Sequence, residues 1–376
     1  MIRETATPIF QFGTSRFLQA HVDLFVDEAL RDGAAAGPIT VVQSSGDAAR
    51  ADRLKALCAP GGFPVRIRGL YHGEVIDRTQ SVCSVRHALS TVTDWTQLVR
   101  RFCEQADYVI SNTGDTGFTA QPADRQPVFD QTMSFPAKLS LLLRARFEHD
   151  ARPLTVLPTE LVRQNGQVLK SRLLELCGEE DSAFAHWLDN TVIWANSLVD
   201  RIVSEALDPA GAVAEPYALW AIERAPGLDP PCRHPCIRMV DDLQEVETLK
   251  LFILNLGHSY LVHLWQRMQD PPQSVSALLS MPPAHTELTD LYHREVLPAF
   301  ASAGRGAAAR AYVETTLERF RNPFLEHRLS DIAQNHAEKV KRRIGGFLSW
   351  ANTLADSTPR PRLEAIVADN PLPQVR

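Results

Sequence analysis

The residues with the clearest chemical potential lie in Lys250-Leu-Phe-Ile-Leu-Asn255-Leu-Gly-His258, where an amine, an amide and an imidazole interrupt an apolar run. Read as an α-helix at about 100° per residue, the three fall at about 0°, 140° and 80° around the axis, within one face. Leu251, Phe252, Ile253 and Leu254 predict that this helix is largely buried. An unpartnered buried polar group costs on the order of 1–3 kcal/mol, so three on one face predict a shared polar cavity. Singly, each has a plainer explanation: a solvated lysine, a structural histidine, an asparagine cap. Together they suit carbonyl–alcohol chemistry. A desolvated ammonium can exchange its proton with an alcohol oxygen while hydride leaves or reaches the carbon. An amide N–H can stabilise charge developing on that oxygen, and the imidazole can orient a substrate hydroxyl. Such a trio needs no zinc.

A second group of residues suits a nucleotide. Phe12-Gly13-Thr14-Ser15-Arg16-Phe17 follows an apolar run and opens a helical pattern, the place where a dinucleotide fold keeps its glycine turn. Ser15 stands where the fingerprint has its second glycine. At the end of the next strand-like run Gln43 replaces the acid that would hold the ribose of NAD. Its amide can accept the same hydroxyl bond without charge repulsion, which leaves NADP open beside NAD. Ser111, Asn112 and Thr113 end another apolar run, on the side of a sheet where ligands bind.

These groups need a scaffold. Strand-like runs at 9–12, 39–42, 108–110 and 154–158 alternate with helical patterns at 16–30, 95–103 and 137–147. That alternation predicts a parallel, doubly wound Rossmann-type sheet. Residues 65–71 and 74–76 read as a hairpin turning at His72-Gly73. From about residue 240 strand signals nearly vanish, and one long helical stretch at 243–268 is followed by others at 288–297, 307–320, 325–344 and 347–354. The expectation is an α/β dinucleotide-binding domain over 1–238 and an all-α domain over 239–376.

Composition narrows the function classes. The net charge of −6 disfavours non-specific nucleic-acid binding, which needs a basic surface. No apolar run is long enough for a membrane span, and the start lacks the basic-then-apolar order of a signal peptide. Six scattered cysteines read as reduced thiols of a cytoplasmic protein. Cys232-Arg-His234-Pro-Cys236 has too few ligands at the wrong spacing for structural zinc, and reads as a surface loop.

The Lys-x4-Asn-x2-His pattern resembles the signature of the polyol-specific long-chain dehydrogenase/reductases, the mannitol dehydrogenase family. Residues 11–20, Ser111-Asn-Thr-Gly-Asp-Thr-Gly117, Ser134-Phe-Pro-Ala-Lys138, Pro158-Thr-Glu-Leu161 with Asn165-Gly166, Asn196-Ser-Leu-Val-Asp-Arg201, Val240-Asp-Asp242 and Arg319-Phe-Arg-Asn-Pro323 extend the likeness in order. They are similar to its uronate branch, that of tagaturonate and fructuronate reductases. The resemblance implies a hydride exchanged between NAD(H) and a sugar acid, without a catalytic metal. Lys250 would be the general acid/base, Asn255 its oxyanion partner and His258 a substrate-positioning group. Asp200, Arg319 and His327 would contact substrate, with Arg319 or Arg321 pairing the carboxylate. Leu161 stands where polyol-oxidising members carry Asn, which favours the uronate branch. The chain is shorter than is usual there, which implies an altered distal pocket. A polyol or polyol-phosphate dehydrogenase and a non-catalytic nucleotide-binding paralogue are the alternatives. The expected assembly is a monomer or weak homo-oligomer.

Overall fold

A computed structural model describes residues 6–114, 117–178, 181–325 and 327–371. Residues 1–5 of the chain start, and Asp115 and Thr116 of the Ser111 motif, lie outside the described residues. The chain divides into two compact units. The first comprises Met1–Ile67, Arg78–Ala214 and Ala218–Leu243; the second comprises Arg68–Asp77, Glu215–Tyr217 and Gln244–Arg376.

Thirteen strands are described. They begin with β1 (Ile9–Phe12), β2 (Ile39–Gln43), β3 (Phe63–Tyr71), β4 (Glu74–Val82), β5 (Val85–Ser90) and β6 (Tyr108–Ser111). There follow β7 (Thr155–Pro158), β8 (Ile193–Trp194), β9 (Ser197–Asp200), β10 (Val203–Ala206), β11 (Ala212–Ala214), β12 (Leu219–Glu223) and β13 (Ile237–Val240). A six-stranded sheet runs β5-β2-β1-β6-β7-β8, every pairing parallel. Strands β1, β2 and β7 are buried along their whole length and β6 all but at Tyr108, as strands covered on both faces must be. Phe10, Phe12, Val42, Val109 and Val156 pack there with Phe102 and Leu142 of the helices Trp95–Gln105 and Phe135–His149. The chain leaves β1 toward β2 on one side and returns to β6 on the other. The switch point therefore lies between β1 and β6, where open α/β sheets bind ligands.

The hairpin forms as expected, with positive φ at His72 and Gly73, as a tight two-residue turn requires. The helix expected at 16–30 is broken into Arg16–Gln19 and Val22–Arg31. Competing partners explain the break: Arg201 Nη1 donates to the Ala20 carbonyl (2.6 Å), and His21 Nε2 bonds the Leu219 carbonyl (3.0 Å). A three-stranded sheet β13-β12-β9, and the strands β10 and β11 that extend the hairpin into a four-stranded sheet β10-β11-β3-β4, had no counterpart in the sequence-based expectation. Most of their strands hold only three to five residues, too few for a periodic signal.

The second unit is helical from Gln244 onward, around Leu256, Leu261, Leu288, Phe300, Phe320 and Phe347. Its helices carry a feature the periodicity does not predict. Three π turns occur among the described residues, at Lys250–Asn255, Tyr292–Val296 and Lys341–Gly345, each continuing into an α-helix. The second runs into Pro298, which lacks an N–H and crowds the carbonyl four residues back. The third runs into Gly345-Gly346, where helix preference is weakest.

Gly13 ends β1 with φ +132, and a Cβ there would lie 2.7 Å from the Asn112 carbonyl oxygen at the end of β6. Gly13→Ala should therefore cost about 2 kcal/mol or more, through both strain and overlap. Urea unfolding measures this, and an unchanged midpoint would contradict the packing at the switch point.

Candidate active site

In the first unit the switch point is built from hydrogen bonds between strand ends. Ser15 caps the short helix: its Oγ accepts from the Leu18 N–H (3.2 Å) and donates to Asn112 Oδ1 (3.1 Å). Asn112 in turn donates to Thr159 Oγ1 (3.1 Å). Ser111 Oγ and both the N–H and Oγ1 of Thr113 donate to the Glu160 carboxylate, each at 3.0 Å. Burial raises the pKa of Glu160, while these donors act to lower it. Asn165 anchors the next turn, its Nδ2 donating to the carbonyls of Pro158, Glu160 and Ser197. Thr14 Oγ1 is buried with no hydrogen-bond partner. Arg53 Nη1 reaches the Thr14 carbonyl at 3.4 Å.

At the end of β2 Gln43 is buried and donates to the Asp47 carbonyl (2.6 Å). Lys138 Nζ donates to the carbonyls of Ser44 and Gln131, both at 2.8 Å. Burial is the main influence on this ammonium and brings it down to about 8. The loop after β2 is thus held by backbone acceptors rather than by an acidic side chain.

In the second unit Phe252, Ile253 and Leu254 are buried and Lys250 and Asn255 half-buried. The π turn changes their disposition. The Leu256 N–H bonds the Leu251 carbonyl, five residues back. One extra residue in the turn sets everything beyond it back by about 100°, so Lys250, Asn255 and His258 lie at about 0°, 40° and −20°. The arc is narrower than a regular helix gives. Side chains from the other two π turns grip this one. Tyr292 Oη donates to the Ile253 carbonyl (2.9 Å), and Arg343 Nη1 donates to the Asn255 carbonyl (3.3 Å) and Ser259 Oγ (3.2 Å). Gly257 makes room for the tyrosine, since a Cβ there would lie 1.9 Å from the Tyr292 hydroxyl.

His258 is 6% exposed, with Nε2 unpartnered. Its ring lies 4.4 Å from that of Phe320 and 4.7 Å from that of His327. Burial holds its pKa well below the ordinary value, and His327, Arg343, Arg319 and Lys339 add to the effect in that order. His327 is lowered to about 4, by burial and then by Arg319. Both imidazoles are neutral at neutral pH. Arg319 is buried and pairs with Glu215 through Nε (3.0 Å) and Nη2 (2.7 Å), over the Tyr217 ring.

Residues 64–230 match the mannitol dehydrogenase Rossmann domain. Over those residues this chain is similar to the mannitol dehydrogenase family. Among curated relatives, altronate oxidoreductase of Halalkalibacterium halodurans is 26% identical over 362 residues, spanning 89% of this chain and 69% of that protein. Altronate oxidoreductase of Klebsiella pneumoniae (strain 342) is 29% identical over 374 residues, spanning 89% and 73%. Among solved structures, D-sorbitol dehydrogenase in substrate-free form aligns with a TM-score of 0.79 at 18% identity, over 91% of this chain and 75% of that one. Mannitol 2-dehydrogenase of Pseudomonas fluorescens, in a ternary complex with NAD and D-mannitol, aligns with a TM-score of 0.70 at 16% identity, over 98% and 85%. At those identities the two structures speak for the fold.

Several residues sit differently from the sequence-based expectation. The Phe12 side chain packs on Phe135 in the core, so only its backbone faces the turn. Arg16 is tied to the carbonyls of Leu207 (2.7 Å) and Gly211 (3.1 Å), and Phe17 stacks on His21. The hydroxyls of Ser111 and Thr113 turn onto Glu160. Asp200 is buried at the end of β9 in the first unit. The edge of Arg319 expected to pair a substrate carboxylate is engaged by Glu215. In the Cys232 loop His234 Nε2 bonds Glu28 (2.7 Å), and Nδ1 accepts from the Cys236 N–H (3.1 Å), so both ring nitrogens are engaged. Among the described residues no cluster of three metal-binding side chains occurs, and no helix is long and apolar enough to cross a membrane.

The sequence reading missed Glu160, Tyr292 and Arg343. Gly257 was the available clue to Tyr292, because a glycine inside a helix costs about 1 kcal/mol relative to alanine. The tyrosine grip makes a prediction. Gly257→Ala should destabilise the protein by about 2–3 kcal/mol, and Tyr292→Phe in the same chain should recover part of that loss. Urea unfolding of both single variants and the double reads it; strictly additive losses would contradict the contact.

Proposed function

We propose that this chain is an NAD-linked oxidoreductase that exchanges hydride with a secondary alcohol carbon of a sugar acid, with Lys250 as the proton-transfer group. The observation that carries the reading is the narrow face of Lys250, Asn255 and His258 on a π turn, in a chain with a Rossmann sheet. The relatives named altronate oxidoreductase support the substrate class. Altronate and tagaturonate are the alcohol and the ketone of one redox pair, so that name and the uronate likeness point to the same chemistry. Leu161, where polyol-oxidising members carry Asn, supports a sugar acid over a polyol.

The first unit fits the dinucleotide. Gly13 leaves no Cβ between β1 and Asn112, Thr14 Oγ1 is an unpartnered buried polar atom, and both lie at the switch point. Gly13, Thr14 and Ser15 would hold the pyrophosphate by backbone and hydroxyl, Gln43 a ribose hydroxyl, and Asn112 the riboside nearest the reacting ring. Bound NAD supplies the hydride acceptor. Lys250 Nζ takes the proton from the substrate hydroxyl as hydride leaves the same carbon, and its ammonium returns the proton in reduction. Asn255 donates an amide N–H to the oxygen as charge builds on it. His258, held neutral, bonds a neighbouring hydroxyl without competing for the transferred proton.

The test is NAD reduction with altronate, beside mannitol and arabinitol. Lys250→Ala should lower kcat by about 10²–10⁴-fold while NADH binding, followed by its fluorescence, persists. Full turnover in that variant would overturn the mechanism, and a preference for the polyols would overturn the substrate class. A pH prediction follows from the lowered histidines. Burial holds folded His258 well below the ordinary histidine range and His327 at about 4, so neither titrates around neutral pH. His258→Gln should therefore lower kcat without moving the inflection of the pH–rate profile around neutral pH. A shifted or vanished inflection would assign the titration to the histidine instead.

A further inference from the structure

A set of basic groups next to the catalytic helix is not used by this mechanism. His336, Lys339 and Arg343 follow one another at three- and four-residue spacing, in the helix His336–Val340 and the π turn after it. Arg343 is seated against the catalytic helix by its Nη1, which donates to the Asn255 carbonyl (3.3 Å) and Ser259 Oγ (3.2 Å). These contacts bracket His258 in sequence. The other side of the guanidinium is uncommitted at Nε, which is buried without a partner. Lys339 Nζ gives one bond, to the Ile332 carbonyl (2.9 Å). His336 is only 8% exposed, yet neither ring nitrogen has a partner, and the same holds for Nε2 of His258.

The charges acting most strongly on His258, His336, Lys339 and Arg343 are themselves basic groups. Glu215 is taken up by Arg319. Basic groups gathered in a partly desolvated place repel one another and strand N–H donors, and an anion arriving there relieves both penalties. A carboxylate suits the vacancy in hydrogen bonding, because guanidinium and carboxylate match in shape and charge. Arg319 cannot serve in the same way, since its Nε and Nη2 are held by Glu215.

We propose that Arg343, supported by Lys339, forms the anion subsite that receives the carboxylate of the substrate. The proposal rests on the reading of the chain as a sugar-acid oxidoreductase and names the group that recognises the acid. It gives Arg343 two tasks from one side chain. Nη1 holds the π turn, and the Nε side binds the carboxylate.

The experiment compares altronate with altritol, the same carbon skeleton without the charge. Arg343→Gln should reduce kcat/KM on altronate by about 10- to 100-fold more than on altritol, the range of one charge-assisted bond. Lys339→Gln should show the same bias, more weakly. Equal losses on both compounds would overturn the subsite and leave Arg343 as a clamp on the helix. No loss on altronate would overturn it as well. If the wild-type protein turns over no sugar acid, the functional reading is what fails. Calorimetric titration of altronate into wild-type and Arg343→Gln protein then reads the subsite directly. Weaker binding in the variant sustains the proposal, and equal or undetectable binding to both refutes it.

Discussion

The second unit depends on how one helix disposes of its backbone carbonyls. In an α-helix each carbonyl is taken by the N–H four residues on, and every side-chain angle follows from that rule. At Lys250–Asn255 the rule gives way to a five-residue step, and two carbonyls of that turn accept from outside the helix. Tyr292 and Arg343 supply side-chain donors to these carbonyls, and the Leu256 N–H also reaches that of Ile253. Both side chains come from segments that are π turns themselves. The wide turn then gathers amine, amide and imidazole into a narrow arc.

The first unit solves a similar problem with a carboxylate. Strand ends at a switch point leave backbone N–H groups and hydroxyls without partners. Buried Glu160 takes three such donors, from Ser111 and Thr113, and Asn165 takes carbonyls on its other side. Gly13 completes the polar loop by letting β1 and β6 end in backbone contact.

What the sequence made legible follows from the range of each signal. Parallel strands are continuous apolar runs, and β1, β2, β6 and β7 were readable because β1, β2 and β7 are buried throughout and β6 all but at Tyr108. Apart from the β3–β4 hairpin, the strands of the two smaller sheets are too short to show a period. The break at Ala20–His21 depends on Arg201 and Leu219, about 180 to 200 residues away in sequence, so no local pattern carries it. The candidate trio was visible as residue types at a spacing, but its true angles were not. They depend on Tyr292 and Arg343, each outside any window around Lys250. Gly257, Pro298 and Gly345-Gly346 were local traces of those π turns, and as single residues they read as ordinary helix imperfections.

Neutral histidines complete the argument about charge. A catalytic lysine works as a shuttle only if neighbouring groups do not take its proton. Burial and surrounding cations keep His258 and His327 unprotonated, so they present hydrogen-bonding atoms without entering the proton balance. The same cations that silence the histidines create a field that favours an anion. Under the proposed function, one arrangement of basic groups would serve two ends: it would leave proton transfer to the amine, and it would favour a charged substrate.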